Sequence, residues 1–308
     1  MSRGSSSLTY AAVLKRGPHT EHCFVKVAPP GLEPVRNRDV LRHAAIMRLL
    51  AEEGTVPVPS VLFTDPGEPP EVPPFFVSEA VSGDCVEPLI DEGSELPPGA
   101  VLTARTAAAV RTLARLHEVD PRKAGSLPAA GAPSADLKGE VDRWARIFAT
   151  VDGALAEAGR RCADGLRSHV PDAMPATIVH GDFRLGNLIC MQSEVRAVLD
   201  WEIWSVSDPR IDLSWLLMTL SPEGLPSAVR DSAPGLPTAE DMLAGYQRAR
   251  GVVLGDMTWF DALSRFRAAA AMSLNVKHNR RRSVPEPRIE RYAEILPRFL
   301  TVATSLLE

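Results

Sequence analysis

The sequence predicts an α+β protein of two lobes, a small strand-rich N-terminal lobe over residues 1–80 and a larger helical lobe over 81–308. The first eighty residues alternate short strand-like runs with a single helical run. Beyond Gly83 the apolar residues of nearly every long stretch recur at helical spacing. A length of 308 residues is long for one core and comfortable for two lobes.

Taken in order, Leu8–Leu14 and Cys23–Ala28 read as strands, the second as the alternating CFVKVA, which Pro29-Pro30-Gly31 ends. Asp39–Glu53 reads as a helix with Val40, Ala44, Met47 and Leu50 on one face. TVPVPSVLFTD, residues 55–65, is a strand broken at its entry by Pro57 and Pro59, which suits a sheet edge. A proline-rich loop, residues 66–74, leads into the strand FFVSEAV at 75–81, and the lobe boundary falls at Glu79–Gly83. Leu102–Val119 is helical. Leu137–Val170 is a second helical region, running through Val141, Trp144, Phe148, Val151 and Leu155 and broken once. Thr238–Gly251 opens with a capping Thr238-x-x-Asp241 and closes on glycine; Thr258–Asn279 and Arg288–Leu307 complete the helical part.

Composition narrows the function classes. Apolar residues at 45% and charged ones at 24% are those of an ordinary globular chain. A net charge of −5 and a pI near 5.9 give no basic field for nucleic acid. Cys23, Cys85, Cys162 and Cys190 are scattered without a CxxC pair, which argues against a disulfide framework or a zinc site and fits a reducing cytosol. MSRGSSSLTY has no apolar signal-peptide core, and the apolar run at Leu213–Leu220 is too short to span a bilayer. The expectation is a cytoplasmic protein with no membrane or nucleic-acid partner; the sequence is silent on oligomeric state. The basic run Lys277–Arg282 at a helix end reads first as placement against the helix dipole, and second as a grip on an anionic substrate.

The chemistry concentrates in IVHGDFRLGNLIC, residues 178–190. Thr177-Ile178-Val179 is a short buried strand, His180–Gly186 a loop, and Leu188-Ile189-Cys190 a strand that returns through Ala197-Val198-Leu199 to Asp200. If these pair antiparallel with Cys190 facing Ala197, Asn187 faces Asp200. The Asn187 amide oxygen and the Asp200 carboxylate would then sit side by side, two hard ligands suited to Mg²⁺. Asp182 would point at the same spot as a proton acceptor. Read as a turn motif alone, the same residues would merely satisfy loop backbone.

His180-Gly181-Asp182-x-x-x-x-Asn187 with a later Asp200 has the order that kinase-type phosphoryl transfer requires. The segment resembles the catalytic loop of the aminoglycoside phosphotransferase and choline kinase family, which shares the protein-kinase architecture. VLDWE (198–202) and SDPRIDLSWLL (207–217) resemble its metal-binding segment and the following helix. HGDFRLGNL with LDWE is most similar to the branch found alone in bacteria or fused to acyl-CoA dehydrogenases. FVKVAPPG resembles the strand whose lysine contacts the phosphates, FFVSEAVSG the hinge, and LARLHEVD (113–120) a recurrent helix end.

The resemblance implies a two-lobed protein-kinase-like fold and transfer of the γ-phosphoryl group of ATP, or GTP, to a small-molecule hydroxyl. It implies Asp182 as the residue that orients and deprotonates the acceptor, Asn187 and Asp200 as Mg²⁺ ligands, and Lys26 on the phosphates. Ser5 and Ser6 would lie in the glycine loop, and backbone groups at Glu79 and Ala80 would hold the base. His180 is expected to brace the loop, Asp208 to cap a helix before Pro209, and Asp212 to bond back to the loop. Arg184 is either near the phosphates or solvated.

Two departures stand out. Relatives read DVLREYRVL where this chain has DVLRHAAIM, so His43 stands where a lysine-anchoring Glu is expected, with Asp39 as a substitute. The glycine loop corresponds to Gly4–Tyr10, so the strand that precedes it is expected to be absent. Both motivate an alternative, a pseudokinase-like module that binds nucleotide or another ligand with little or no catalysis. A metal-dependent phosphohydrolase using His180 and Asp182 is a third reading. The acceptor stays open among aminoglycosides, amino alcohols, sugars and hydroxyacyl compounds.

Overall fold

Arg16 lies opposite His19, so the first hairpin closes on two residues, Gly17 and Pro18. Gly17 takes φ 59°, as the first central position of such a turn favours. A computed structural model of the chain describes residues 2–3, 7–90, 95–125, 127, 136–151, 153–221 and 233–308. Strands β1 (Ser2–Arg3), β2 (Leu8–Arg16) and β3 (His19–Val27) are followed by helix α1 (Val40–Glu53), β4 (Val61–Asp65) and β5 (Phe75–Glu79). They form one antiparallel sheet in the order β1-β2-β3-β5-β4. The proline-entered strand β4 is at an edge, where a missing N–H costs no ladder bond. One expectation is corrected at the other edge. The strand before the glycine loop is present, since Ser2 pairs with Thr9 and Arg3 with Leu8.

Helix α1 starts where Asp39 accepts the Arg42 N–H at 3.1 Å and stops at Gly54, which takes the left-handed conformation. Its apolar face, Val40, Ala44, Ile46, Met47 and Leu50, packs into a core shared by both halves of the chain. Phe76 of the sheet, Leu102, Leu113, Leu188, Trp204 and Leu213 belong to the same cluster. Each Val, Leu, Ile, Phe or Met side chain so taken out of water contributes about 1.5–3 kcal/mol before the entropy of ordering it is subtracted.

The helical part begins with α2 (Gly99–Leu116), the short α3 (Pro121–Gly125), α4 (Leu137–Phe148) and α5 (Ala154–Ser168). The break expected in the second region falls before α5, at Gly153 with φ 69°. Three short strands follow, β6 (Thr177–Val179), β7 (Leu188–Met191) and β8 (Glu194–Val198), then β9 (Ser205–Ser207), which pairs with β6. Helices α6 (Arg210–Thr219), α7 (Ala239–Arg250), α8 (Thr258–Asn279) and α9 (Pro287–Ser305) complete the chain. Helix α7 carries the expected capping box, Thr238 with Asp241, and ends on left-handed Gly251. A second core cluster under α8, with Phe148, Phe260, Phe266 and Phe299 fully buried, supports these helices. Among the described residues no helix is long and apolar enough to cross a membrane.

The β7–β8 hairpin differs from its expected register. Ile189, not Cys190, lies opposite Ala197, and Cys190 lies opposite Val195. The turn is two residues, with Gln192 at φ 53°, and an irregularity after Ile189 absorbs one residue of β8. Asn187 therefore meets Leu199, whose N–H donates to the Asn187 carbonyl at 2.8 Å, and Asp200 falls one residue further on.

Candidate active site

Between β6 and β7 the chain must turn inside the core, and buried polar groups there need partners. Asp212, on the first turn of α6, supplies them. Its two carboxylate oxygens accept the backbone N–H groups of His180 (2.6 Å) and Gly181 (2.7 Å). His117, from the end of α2, lies 3.4 Å from the same carboxylate, and its other ring nitrogen is 2.6 Å from the Tyr246 hydroxyl. Burial opposes the Asp212 charge, but His117 and the loop N–H groups hold its carboxyl below the ordinary value of 3.8. Gly181 is required where it is. Its φ is +87°, and a Cβ there would come 2.7 Å from the Ile203 carbonyl oxygen. Arg267 of α8 donates to the Gly181 carbonyl at 2.5 Å.

His180 is fully buried, with its ring 4.6 Å from that of Trp201. The Asp182 N–H donates to its Nδ1 at 3.1 Å, which leaves the Nε2 hydrogen for the Leu199 carbonyl at 2.7 Å. The ring thus ties the loop to the residue just before Asp200, and the expected bracing role fits this geometry.

The Asp182 carboxylate is oriented by three donors. Trp215 Nε1 reaches Oδ1 at 2.8 Å, while Asn187 Nδ2 (2.8 Å) and Arg184 Nε (3.3 Å) reach Oδ2. A carboxylate offers about four lone-pair directions, so one remains open to a further donor. Asn187 also donates to the Asp182 carbonyl at 2.8 Å. Both its N–H groups are spent on Asp182, and its amide oxygen is the atom left for a ligand. The Arg184 side chain is 31% exposed, and its guanidinium is engaged by two carboxylates. It bridges Asp182 to Glu87 at 3.1 Å, and although burial opposes its charge, the two carboxylates raise its pKa above the ordinary value. Glu87, itself buried, also accepts the Gly186 N–H.

Across the cleft, Lys26 Nζ is 2.8 Å from Asp200 Oδ1 and 3.8 Å from Glu202 Oε2. Asp200 takes left-handed backbone angles, φ 64° and ψ 57°, which cost an ordinary L-residue about 1–2 kcal/mol. The hairpin and the buried Trp201 impose that geometry, and it aims the carboxylate at the lysine. Burial works against the Asp200 charge, but Lys26, with His180 and His43, keeps its carboxyl below the ordinary value. Asp39 is not the lysine's substitute partner. Its carboxylate caps α1 instead, while Asp200 and Glu202 are the carboxylates at Lys26. His43 is buried at 1% exposure, and neither ring nitrogen reaches a hydrogen-bond partner of good geometry. The Asn37 backbone influences it only weakly, and burial, with the Lys26 charge, lowers its pKa well below 6.5.

The other expected residues divide. Ser5 and Ser6 lie outside the described residues. The N–H groups of Glu79 and Ala80 donate to Ser60 O (3.0 Å) and His22 O (3.1 Å), which leaves a base edge only carbonyls there, or donors further along the hinge. Asp208, two residues before the helix as counted from Arg210, accepts the Arg210 N–H at 3.0 Å, and Pro209 holds the cap position between them. The buried Asp208 carboxylate also pairs with the Arg210 guanidinium at 2.8 Å. In the basic run, Arg280 and Arg282 pair with Glu290 and Glu286, and Lys277 donates to the Thr150 carbonyl. Those contacts fit the first reading, a charged helix end, rather than a substrate grip.

Among the described residues there is no group of three or more His, Cys, Asp or Glu that could hold a metal unaided. Asp200 and Asn187 offer one carboxylate and one amide oxygen, a donor set that fits Mg²⁺, which takes its remaining ligands from water and phosphate.

Several residues of the site had no signal in the local motif. Trp215, Glu87, His117 and Tyr246 reach the loop from elements distant in sequence. Arg42 and Glu202 join the lobes: Arg42 Nη1 donates to the Glu202 carbonyl at 3.4 Å, Nη2 donates to the Trp204 carbonyl, and its guanidinium stacks 4.2 Å from the Trp204 ring centroid. His117, Glu202, Trp215 and Arg42 lay inside quoted segments, LARLHEVD, VLDWE, SDPRIDLSWLL and DVLRHAAIM, but none was singled out there for a role at the site.

Comparison with known proteins identifies the family and the fold. The profile of the phosphotransferase enzyme family matches residues 1–252. Acyl-CoA dehydrogenase family member 10 of Mus musculus is 32% identical over 243 residues, 75% of this chain and 22% of that protein. Family member 11 of Homo sapiens is 31% identical over 204 residues, 63% of this chain and 26% of that protein. The chain thus spans about a quarter of the length of these curated relatives. A protein from Ralstonia eutropha named as a candidate aminoglycoside phosphotransferase superposes with a TM-score of 0.75 at 22% identity, covering 99% of this chain and 94% of that one. The GDP complex of aminoglycoside 2'-phosphotransferase-IIIa gives 0.63 at 16% identity, covering 98% and 91%. APH(4)-Ia in a ternary complex with AMP-PNP and hygromycin B gives 0.61 at 13% identity, covering 100% and 92%. The fold is that of the aminoglycoside phosphotransferases, and the chain belongs to the phosphotransferase enzyme family.

Proposed function

We propose that this chain transfers the γ-phosphoryl group of ATP, or of GTP, to a hydroxyl of a small molecule. The nucleotide would lie between the lobes formed by residues 1–80 and 81–308. The observation that carries this reading is the Asp182 carboxylate held by Trp215 and Asn187, with the left-handed Asp200 paired to Lys26 across the same cleft. Solved neighbours of this fold bind AMP-PNP or GDP, which supports a nucleotide donor.

Asp182 orients the acceptor hydroxyl and takes its proton through the remaining lone pair, Lys26 leaves Asp200 for the phosphates, and Trp215 and Asn187 keep Asp182 from rotating. Asp200 and the Asn187 amide oxygen would hold Mg²⁺, which when bound neutralises charge on the transferring phosphoryl group. The free cysteines, three of them buried, are consistent with a cytoplasmic setting.

The wall beside Asp182 carries two arginines, Arg267 and Arg143, around one buried carboxylate, Glu140, at 3.5 Å and 3.7 Å. Arg267 stacks 5.1 Å from Trp215 and 5.3 Å from Trp144, and Arg143 lies 5.4 Å from Trp144. Burial, together with the charges of Arg267, Arg36 and Arg146, lowers the Arg143 pKa, with Glu140 opposing them. One Nη of the buried Arg267 has no hydrogen-bond partner among the described residues. This wall favours an acceptor bearing an anionic group over a polycation. The test is ATP consumption with hydroxy acids, sugars, amino alcohols and aminoglycosides as acceptors. Turnover with hydroxy acids supports the reading, and turnover with aminoglycosides alone contradicts the acceptor class. Mg-ATP binding without turnover on any acceptor would favour the binding module, the reading that His43 in place of a glutamate supports.

A further inference from the structure

We propose that Glu202 is the carboxylate that orients the phosphate-contacting lysine, and that Arg42 fixes its position. The proposal rests on the phosphotransferase reading above. Helix α1 carries His43, where the family resemblance leads one to expect a glutamate, near enough that the Lys26 and Asp200 charges both act on the ring. A buried neutral imidazole accepts no ammonium as a carboxylate does, and neither ring nitrogen bonds to Lys26. Two carboxylates do face Lys26, at 2.8 Å and 3.8 Å. The nearer one, Asp200, is the residue expected to turn to Mg²⁺ when nucleotide enters. Glu202 is then the charge that stays with the lysine.

The backbone of Glu202 is built for that task. It sits in a single helical turn, Trp201–Ile203, that packs against α1. Arg42, at 5% exposure, donates to the carbonyls of Glu202 and Trp204 and stacks on the Trp204 ring. In this arrangement α1 is bolted to the segment that carries Asp200 and Glu202. The lysine anchor and the Asp200 carboxylate therefore move as one body rather than on opposite lobes. Because Arg42 holds the Glu202 carbonyl and not its side chain, the side chain can be changed without releasing the bolt.

The experiment uses the full chain and has two readouts. The first is the rate at which an amine-reactive reagent labels Lys26 without nucleotide, read by mass spectrometry of the Lys26 peptide. The second is Mg-ATP affinity by calorimetry. E202Q is expected to label Lys26 several-fold faster than the parent and to weaken Mg-ATP by roughly tenfold, the scale of one charge-assisted contact. E202D, which keeps the charge on a shorter arm, falls between. H43E in the E202Q background, which places a carboxylate on α1, recovers both values. Labelling and affinity in E202Q equal to the parent's would overturn the proposal, as would E202D values no better than those of E202Q. If the parent binds no Mg-ATP, the phosphotransferase reading fails, while the labelling rates still decide the role of Glu202.

Discussion

Around Asp212 every charge has a buried partner, whereas around Lys26 the charges stay partly exposed to solvent. Asp212 and His117 are fully buried, while the Lys26 and Asp200 side chains are 17% and 39% exposed. A buried pair is expensive to break, because the charge left behind cannot reach water. A pair at a cleft is screened and can exchange one partner for another at small cost. The loop that carries Asp182 is accordingly preorganised, and on the proposed reading the lysine opposite it would trade a carboxylate for a phosphate. Rigidity on one side and exchange on the other are what a reaction made of positioning and charge neutralisation needs.

The strongest way to break the comparison is at Asp182. D182N is expected to lower turnover by about 10²–10⁴-fold, the range of a lost general base, with Mg-ATP affinity and thermal stability retained. Steady-state kinetics beside calorimetry checks both halves. D212A should instead cost stability, about 3–5 kcal/mol in denaturant unfolding, because it strands His117 and two buried N–H groups. R42M is expected to cost about 1–3 kcal/mol, since it leaves the Trp204 and Glu202 carbonyls unpaired at the lobe junction.

Acid sharpens the same contrast. Burial lowers the folded-state pKa of His43 and of His117, the latter against the pull of Asp212, so the unfolded chain binds protons first as pH falls below 6.5. Stability is therefore full above pH 6.5 and declines below it, with a slope of up to about 1.4 kcal/mol per pH unit for each histidine. H43L should flatten the curve measured by denaturant midpoints from pH 7 to 5. The depressed carboxyl of Asp212 acts lower, contributing stability above pH 3.8 that is lost as pH falls through its folded value. The smallest effect is expected at the exposed Arg160 pairs on α5, where R160A leaves the melting temperature unchanged.

The strands and helices were legible wherever a period or a cap was strong. Asp39 and Gly54 bracket α1, Thr238 and Gly251 bracket α7, and the prolines at 57 and 59 marked the edge strand. The short β9 was not, because three residues carry no period and its partner β6 lies far away in sequence. The hairpin register slipped because a two-residue turn and a bulge change the pairing without changing the apolar pattern at either end. Within the candidate site, Asp182, Asn187 and Asp200 share one motif and were proposed from it. Their supports were hidden, since Trp215, Tyr246, Glu87 and Arg42 become neighbours only through folding. The replacement of a glutamate by His43 could be read, but its consequence at Glu202 needed the distances.

The central claim is that this cleft takes Mg-ATP through Asp200 and Lys26 and spends it through Asp182. Calorimetric titration of Mg-ATP into the full chain and its D200A and D182N variants tests it most directly. The account predicts one-site binding in the parent and in D182N, and none in D200A, with all three folded by circular dichroism. A folded parent that gives no binding, or a D200A variant that binds as the parent does, would contradict it.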